Sequence, residues 1–179
     1  MELLIGIGAA QSVWVQFEGQ FMAGSLPDPA SIADPQALAF GFSDNQTLAV
    51  WEFNLGAWQS FAIPGGANVP QAYSLYLDFD AGRWEIYQGT ALVATGLPLA
   101  DDRLYTLSRL LLLNDASEEE GSAQTVISGM RVLLEEPAGL DRDGDGIPNK
   151  VERALGLDSR DADDALADND GDELSNLAE

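Results

Sequence analysis

Short runs of alternating apolar and polar residues fill residues 1–136, and this is the pattern of β-strands that are buried on one face. In residues 13–17, every second residue is Val13, Val15 or Phe17, so these three side chains lie on one face. The clearest hairpin joins residues 73–79 to residues 83–87, because both runs alternate and the turn between them contains Gly82, which tolerates positive φ. The other runs that we interpret as strands are 37–42, 47–53, 58–63, 91–94, 107–113 and 125–134.

This spacing of strands and turns predicts an all-β fold, an antiparallel β-sandwich of the jelly-roll type. No stretch of helical periodicity separates the runs, so a parallel α/β sheet is not expected. After residue 136 the composition changes: residues 137–140 combine proline and glycine, and residues 141–179 hold 13 of the 30 acidic residues. We therefore predict a sandwich domain over residues 1–136, a linker over residues 137–140 and a small C-terminal module with short helices.

The C-terminal module contains an internal repeat, because the stretch that starts at Asp141 returns at Asp168 with its aspartates at the same spacing. The first copy fits, and the second nearly fits, the pattern D-x-[DN]-x-[DN]-G-x5-E of EF-hand-type loops, in which alternate residues direct oxygen atoms at one Ca²⁺. In the first loop the predicted ligands are Asp141, Asp143, Asp145, the carbonyl of Ile147, Asn149 and Glu152. In the second loop they are Asp168, Asp170, Asp172, the carbonyl of Leu174, Asn176 and Glu179.

The two loops differ at the sixth position, where the chain has to turn sharply. The first has Gly146 there, whereas the second has Glu173, whose Cβ strains a left-handed turn by about 1 kcal/mol. We therefore predict a weaker or more distorted second site. After the first loop, Pro148 stands where a short helix over residues 149–155 begins. The connector at residues 158–164 is acidic, and we interpret it as a polar linker in preference to a cap on one of the ions.

Composition limits the chemistry of the chain. Without cysteine or histidine it has no thiolate or imidazole, which excludes disulfides, iron–sulfur clusters, and the usual zinc and copper ligand sets. Any metal ion is therefore a hard cation bound through oxygen. A formal net charge of −22 repels phosphate backbones and argues against nucleic acid as a partner. No apolar run approaches the ~20 residues that span a bilayer, and the first residues lack the basic region of a signal peptide.

The first loop, with Glu152 and the Gly-Leu-Asp that follows it, resembles the thrombospondin type 3 repeats of bacterial surface and secreted proteins, which are close relatives of dockerin half EF-hands. That resemblance implies calcium as the bound ion. The segment 73–97, with its Leu-Asp-Phe-Asp and Arg-Trp-Glu-Ile-Tyr strands, is similar to the central hairpins of concanavalin A-like lectin/glucanase jelly rolls, including laminin G-like modules. This second resemblance implies a domain that binds glycans or proteins.

The glucanase members of that family carry closely spaced acidic residues on one strand, and this sequence has no such run. Asp78 and Asp80 lie two residues apart, but they flank a turn, where aspartate commonly bonds to the backbone. We therefore predict no enzymatic activity and no catalytic residues. Trp14 and Trp84 are the first candidates for exposed, sugar-stacking side chains, because we interpret both as out of phase with their apolar neighbours.

Together these features predict an extracellular or cell-surface, non-catalytic calcium-binding protein with a recognition or assembly domain. Loops of this kind fill dependably where free calcium is millimolar, which is outside the cell. Two alternatives stay open: a structural subunit of a calcium-dependent surface layer or filament, and a fragment of a larger polysaccharide-active enzyme or adhesin. The partner of the sandwich is left open between a glycan, a cell-surface protein and further copies of the chain.

Overall fold

The computed structural model describes residues 2–4, 12–21, 26, 38–44, 46–100, 109–111 and 126–179. The strands within them are β1 (Glu2–Leu4), β2 (Ser12–Gln20), β3 (Phe40–Asp44), β4 (Thr47–Glu52), β5 (Ala57–Ala62), β6 (Gln71–Asp78), β7 (Arg83–Gln88), β8 (Ala91–Pro98), β9 (Arg109–Leu111) and β10 (Val126–Leu133). The helical elements of these ranges are the α-helix α1 (Asn149–Leu155) and a 3-10 turn at Asp164–Leu166. Neither of these described helices has the length and apolar character needed to cross a membrane.

The strands form antiparallel sheets of five, three and two strands. The five-stranded sheet has the order β10-β2-β6-β7-β8, the three-stranded sheet has the order β3-β4-β5, and β1 pairs with β9. The predicted hairpin is confirmed as β6 and β7, in which Leu75 pairs with Ile86 and Leu77 pairs with Trp84. Parts of three predicted strands lie outside the described residues, at positions 37, 107–108, 112–113 and 125.

The two larger sheets face each other across one hydrophobic core, which makes the chain an all-β sandwich. The most deeply buried side chains from both sheets include Val13, Val15, Leu48, Val50 and Leu75. Because alternate residues of a strand share a face, the apolar alternation of the sequence becomes the inner face of each sheet. The finer assignment to the jelly-roll type stays a prediction.

The prediction that Trp14 and Trp84 are exposed is wrong. Trp84 is 1% exposed, because it shares the inner face of β7 with Ile86 and packs in the core between the sheets. Trp14 lies on the outer face of the five-stranded sheet but is only 6% exposed, because Tyr87 and Leu140 pack against it. Leu140 belongs to the segment predicted as a linker, so this segment is anchored on the sandwich just before the first acidic loop. The division of the chain into two domains stays a prediction.

Candidate metal centre

The first acidic loop is closed by hydrogen bonds from its own backbone. Asp141 accepts the amide of Gly144 through Oδ1 at 2.7 Å and the amide of Gly146 through Oδ2 at 3.0 Å. Asp145 accepts the amide of Ile147 at 2.6 Å. Gly146 has a φ of 98°, in the left-handed region that glycine adopts without strain. The sharp turn predicted at this position is therefore present.

Helix α1 carries Glu152 to the interior side of this loop. Pro148 precedes the helix, and its carbonyl accepts the amides of Val151 and Glu152 at 2.7 and 3.1 Å. The helix ends at Gly156, which is left-handed with a φ of 78°. Proline near the start and glycine just past the end follow the usual asymmetry of helix termini. The helix predicted over residues 149–155 is confirmed, and it leaves Glu152 at 0% exposure.

Four carboxylates converge in this region with buried oxygen atoms. Hydrogen-bond partners are absent, among the residues that the structure describes, for Asp143 Oδ2, Asp145 Oδ2, Glu152 Oε1, Glu152 Oε2 and Asp164 Oδ1. We call these atoms the five open oxygens. Oxygens of Asp145, Glu152 and Asp164 lie within 4.8 Å of one another. Buried charges are normally paired or coordinate a metal ion, because an isolated carboxylate loses its hydration on burial.

The crowding of these carboxylates changes their proton affinity. Burial, followed by the negative charges of Asp143, Asp145 and Asp164, raises the pKa of Glu152 to about 7. Burial also raises the pKa of Asp143. Without a cation, Glu152 is therefore protonated in a large share of molecules near neutral pH, and a metal ion that binds there has to displace this proton.

We expect the stability of the metal-free protein to fall as the pH rises from about 4.5 to about 7. In that window the folded state still holds the proton on Glu152, whereas the unfolded chain has already lost it, so raising the pH favours unfolding. Thermal unfolding in chelator across this range measures the trend. The variant Glu152→Gln lacks the titrating group and isolates its contribution, so equal pH profiles for variant and wild type would contradict the raised pKa.

The side chain of Asn149 braces the first loop. It is buried, its Oδ1 accepts the amide of Arg142 at 2.8 Å, and its Nδ2 donates to Glu136 at 2.9 Å. Its backbone amide donates to the carbonyl of Leu140 at 2.8 Å. Through these hydrogen bonds Asn149 supports the first loop. Ion binding by Asn149 and by the carbonyl of Ile147 stays a prediction.

The second loop repeats the three backbone hydrogen bonds that the aspartates at the first and fifth positions accept in the first loop. Asp168 accepts the amides of Gly171 at 2.7 Å and Glu173 at 2.9 Å, and Asp172 accepts the amide of Leu174 at 2.9 Å. The amides of Glu173 and Gly171 lower the pKa of Asp168. The aspartates at the first, third and fifth positions come within 4.8 Å of one another but are exposed. The acidic group of the second loop is therefore preformed and lies at the surface.

Two features distinguish the second loop from the first. Glu173 has a φ of 77°, and it is the only left-handed residue other than glycine in the described part of the chain. Glu179 is exposed, and it is not among the described carboxylates that come within 4.8 Å of one another, whereas its counterpart Glu152 is buried. The negative charge of Asp170 raises the pKa of Glu179. The backbone strain predicted at Glu173 is present, and weaker ion binding by this loop stays a prediction.

Replacing Glu173 with glycine is expected to stabilise the second loop by about 1 kcal/mol, because the left-handed backbone then carries no Cβ. The control is Gly171→Ala, which adds a Cβ at a φ of 80°, where no described atom lies within 4 Å, and which is expected to destabilise by a similar amount. Thermal unfolding in saturating calcium measures both. If both variants have the melting temperature of the wild type, the second loop relaxes and its left-handed backbone at Glu173 is not strained.

Asp164 is the acidic residue at this centre that lies outside the twelve predicted ligands. It belongs to the connector at residues 158–164, which the sequence favours as a polar linker, yet one of its oxygens reaches Asp145 and Glu152. The density of carboxylates in the connector is the sequence feature that indicates a further acidic residue at the centre. That signal does not indicate which carboxylate turns inward, because no loop pattern fixes the path of a connector.

Comparison with known proteins adds no family to this description, because the chain matches no protein-family model and no curated protein. The donor atoms of the centre therefore indicate which ion it can hold. They are carboxylate oxygens, which are ligands for hard cations. Calcium takes about six to eight oxygens and tolerates irregular geometry, whereas magnesium demands a near-ideal octahedron and keeps several waters. Carboxylate oxygens of Asp145, Glu152 and Asp164, which lie within 4.8 Å of one another, are donors of the kind that calcium accepts.

Proposed function

We propose that the chain is an extracellular, non-catalytic calcium-binding protein. Residues 141–179 form a calcium-loaded module that stiffens a sandwich of the jelly-roll type, and this sandwich serves recognition or assembly. The observation that carries the proposal is the set of five open oxygens. They belong to four carboxylates, and none of the five has a hydrogen-bond partner among the described residues. A divalent cation supplies both the missing charge and the missing coordination.

In the first loop, Asp143, Asp145 and Glu152 would hold the ion, and Glu152 has two open oxygens to offer. The role of the ion is structural, because packing alone gives the module little stability. Its apolar side chains Val151 and Leu155 are 45% and 53% exposed, so they bury only part of their surface. Without a cation, repulsion among the carboxylates opposes folding, and binding free energy becomes folding free energy.

The extracellular location is supported by chemistry and by resemblance. A loop site built from oxygen ligands fills reliably where calcium is about millimolar, as it is outside cells. The likeness of the first loop to repeats of surface and secreted proteins agrees with that environment. The recognition or assembly role of the sandwich is supported by the resemblance of residues 73–97 to concanavalin A-like modules.

Calcium titration by calorimetry, followed by thermal unfolding and limited proteolysis with and without chelator, tests the proposal. We expect calcium to raise the melting temperature and to protect residues 141–179 from protease. Magnesium at the same concentration is the control, and we expect it to protect less because it gives up its waters reluctantly and is bound by fewer protein oxygens than calcium. Melting and protease resistance that stay unchanged in chelator would overturn the calcium proposal.

A further inference from the structure

Asp164 lies on the 3-10 turn Asp164–Leu166, in the connector between the two acidic loops. Its two carboxylate oxygens have different environments. Oδ2 accepts the amide of Asp158 at 2.8 Å, which fixes the side chain against its own connector. Oδ1 is buried and is one of the five open oxygens. The carboxylate is therefore held in place on one side and open on the side that faces the first loop.

Glu152 indicates an ion at the same place independently of Asp164. Its side chain is 0% exposed, and neither of its oxygens has a hydrogen-bond partner among the described residues. Asp145 Oδ2 is open in the same way, and Asp145, Glu152 and Asp164 each bring an oxygen within 4.8 Å of the others. Carboxylates from three separate segments that meet without a donor repel one another, and a cation among them removes that repulsion.

The second loop holds the turn that carries Asp164. Asn176, at the ninth position of the second loop, donates from Nδ2 to the carbonyl of Asp164 at 2.6 Å. The backbone amide of Asn176 donates to the carbonyl of Ala167 at 2.8 Å, and that of Leu177 donates to the carbonyl of Ala165 at 3.0 Å. Asn176 is buried, so water competes little for these bonds. The position of Asp164 therefore depends on the folding of the second loop.

The two loops also touch directly. The Cδ1 atom of Leu177 lies 3.3 Å from the point where a Cβ on Gly146 would stand. The end of the second loop thus packs on the turn glycine of the first loop. Folding of either loop removes conformational freedom from the other.

We propose that Asp164 is a ligand of the ion in the first loop, and that the second loop fixes Asp164, so that the two ions bind with positive cooperativity. This inference rests on the proposed calcium function. When the second loop closes on its ion, the turn Asp164–Leu166 is ordered before the first ion arrives, so the first ion no longer has to order it. By reciprocity, an ion in the first loop strengthens binding at the second by the same factor.

Calcium titration of Asp164→Asn against Asp163→Asn tests the ligand assignment. Both variants remove one charge from the connector, but Asp163 is exposed and makes no capping hydrogen bond. Asparagine keeps an oxygen that can accept the amide of Asp158, and proteolysis in saturating calcium checks that the turn still forms. We expect D164N to lose about tenfold or more in affinity at the tighter site and D163N to keep wild-type affinity.

The two proposals fail in distinguishable ways. If the wild type binds no calcium, the calcium function is wrong and this inference falls with it. If the wild type binds calcium and D164N binds as tightly as D163N, the calcium function stands and Asp164 is not a ligand.

The variant Asp170→Asn tests the coupling between the loops, because it removes a carboxylate of the second loop and leaves every carboxylate of the first in place. We expect the wild-type titration to be cooperative, and D170N to lower the affinity of the remaining first-loop ion about fivefold or more. The charge control is again Asp163→Asn. First-loop affinity in D170N equal to that of the control would overturn the cooperativity.

Discussion

Replacing Glu152 with glutamine is expected to weaken calcium binding and to stabilise the calcium-free protein. In this variant the first loop lacks a charged ligand, and its calcium affinity is expected to fall about tenfold to a hundredfold or more. Mutation of a residue that only hydrogen-bonds to a metal ligand already lowers affinity by this factor. In chelator at neutral pH the same variant is expected to be more stable than the wild type, because glutamine carries no charge that burial and the neighbouring Asp143 and Asp145 disfavour. Calorimetric titration and thermal unfolding in chelator measure the two effects.

The control for this variant is Glu135→Gln, which removes one charge at an exposed position. It is expected to leave calcium affinity and the stability in chelator close to those of the wild type. Weaker calcium binding together with greater stability in chelator would identify Glu152 as an ion ligand. A Glu152→Gln variant that is less stable in both states would instead assign Glu152 a packing role and would count against the ion site.

Removing the side chain of Arg142 is expected to destabilise the calcium-loaded protein by about 2–3 kcal/mol. Arg142 lies between two predicted ligands, and its guanidinium forms an ion pair with Glu85 on β7. Glu85 is 5% exposed and also accepts the hydroxyls of Tyr87 at 3.1 Å and Thr95 at 2.8 Å. The variant Arg142→Ala leaves a buried carboxylate with neutral donors only. Denaturant unfolding in saturating calcium measures the change.

Arg153→Ala is the matched control, because it breaks a second ion pair among the described residues, that of Arg153 on α1 with Glu136 at 2.7 Å. The Arg153 side chain is 50% exposed, against 21% for Arg142, so solvent screens this pair more strongly. We expect it to lose less than about 1 kcal/mol. Adding Glu85→Gln to Arg142→Ala should recover part of the loss, and a double variant no more stable than the single one would contradict the role of the buried charge.

The strands and the acidic loops were predictable because their signals are local. In a strand such as β6, the apolar residues at every second position indicate the inner face. The turn glycine at position 82 closes the hairpin with β7. The loop pattern extends over twelve residues, so the spacing of Asp141, Asp143 and Asp145 already predicts that a closed turn brings these side chains together. The same rule locates the left-handed backbone at Glu173.

The environment of Trp14 was not predictable from its strand. Alternation correctly separates it from the inner residues Val13 and Val15, but it does not reveal what covers the outer face of a sheet. That face is covered by Leu140, which is remote in sequence from β2. An out-of-phase aromatic residue is therefore exposed or buried according to where a distant segment packs.

The sequence by itself determined the β-strands, the two acidic loops and the difference between glycine and glutamate at their turns, because these depend on residues within one turn or one strand. Only the tertiary structure decided that Asp164 joins Glu152, that Asn149 is a brace, and that the first loop is tied to β7 through Arg142. The physical reason is the separation along the chain over which each interaction acts. Backbone sterics and periodicity act over a few residues, whereas burial and charge repulsion act between segments that only the folded chain brings together.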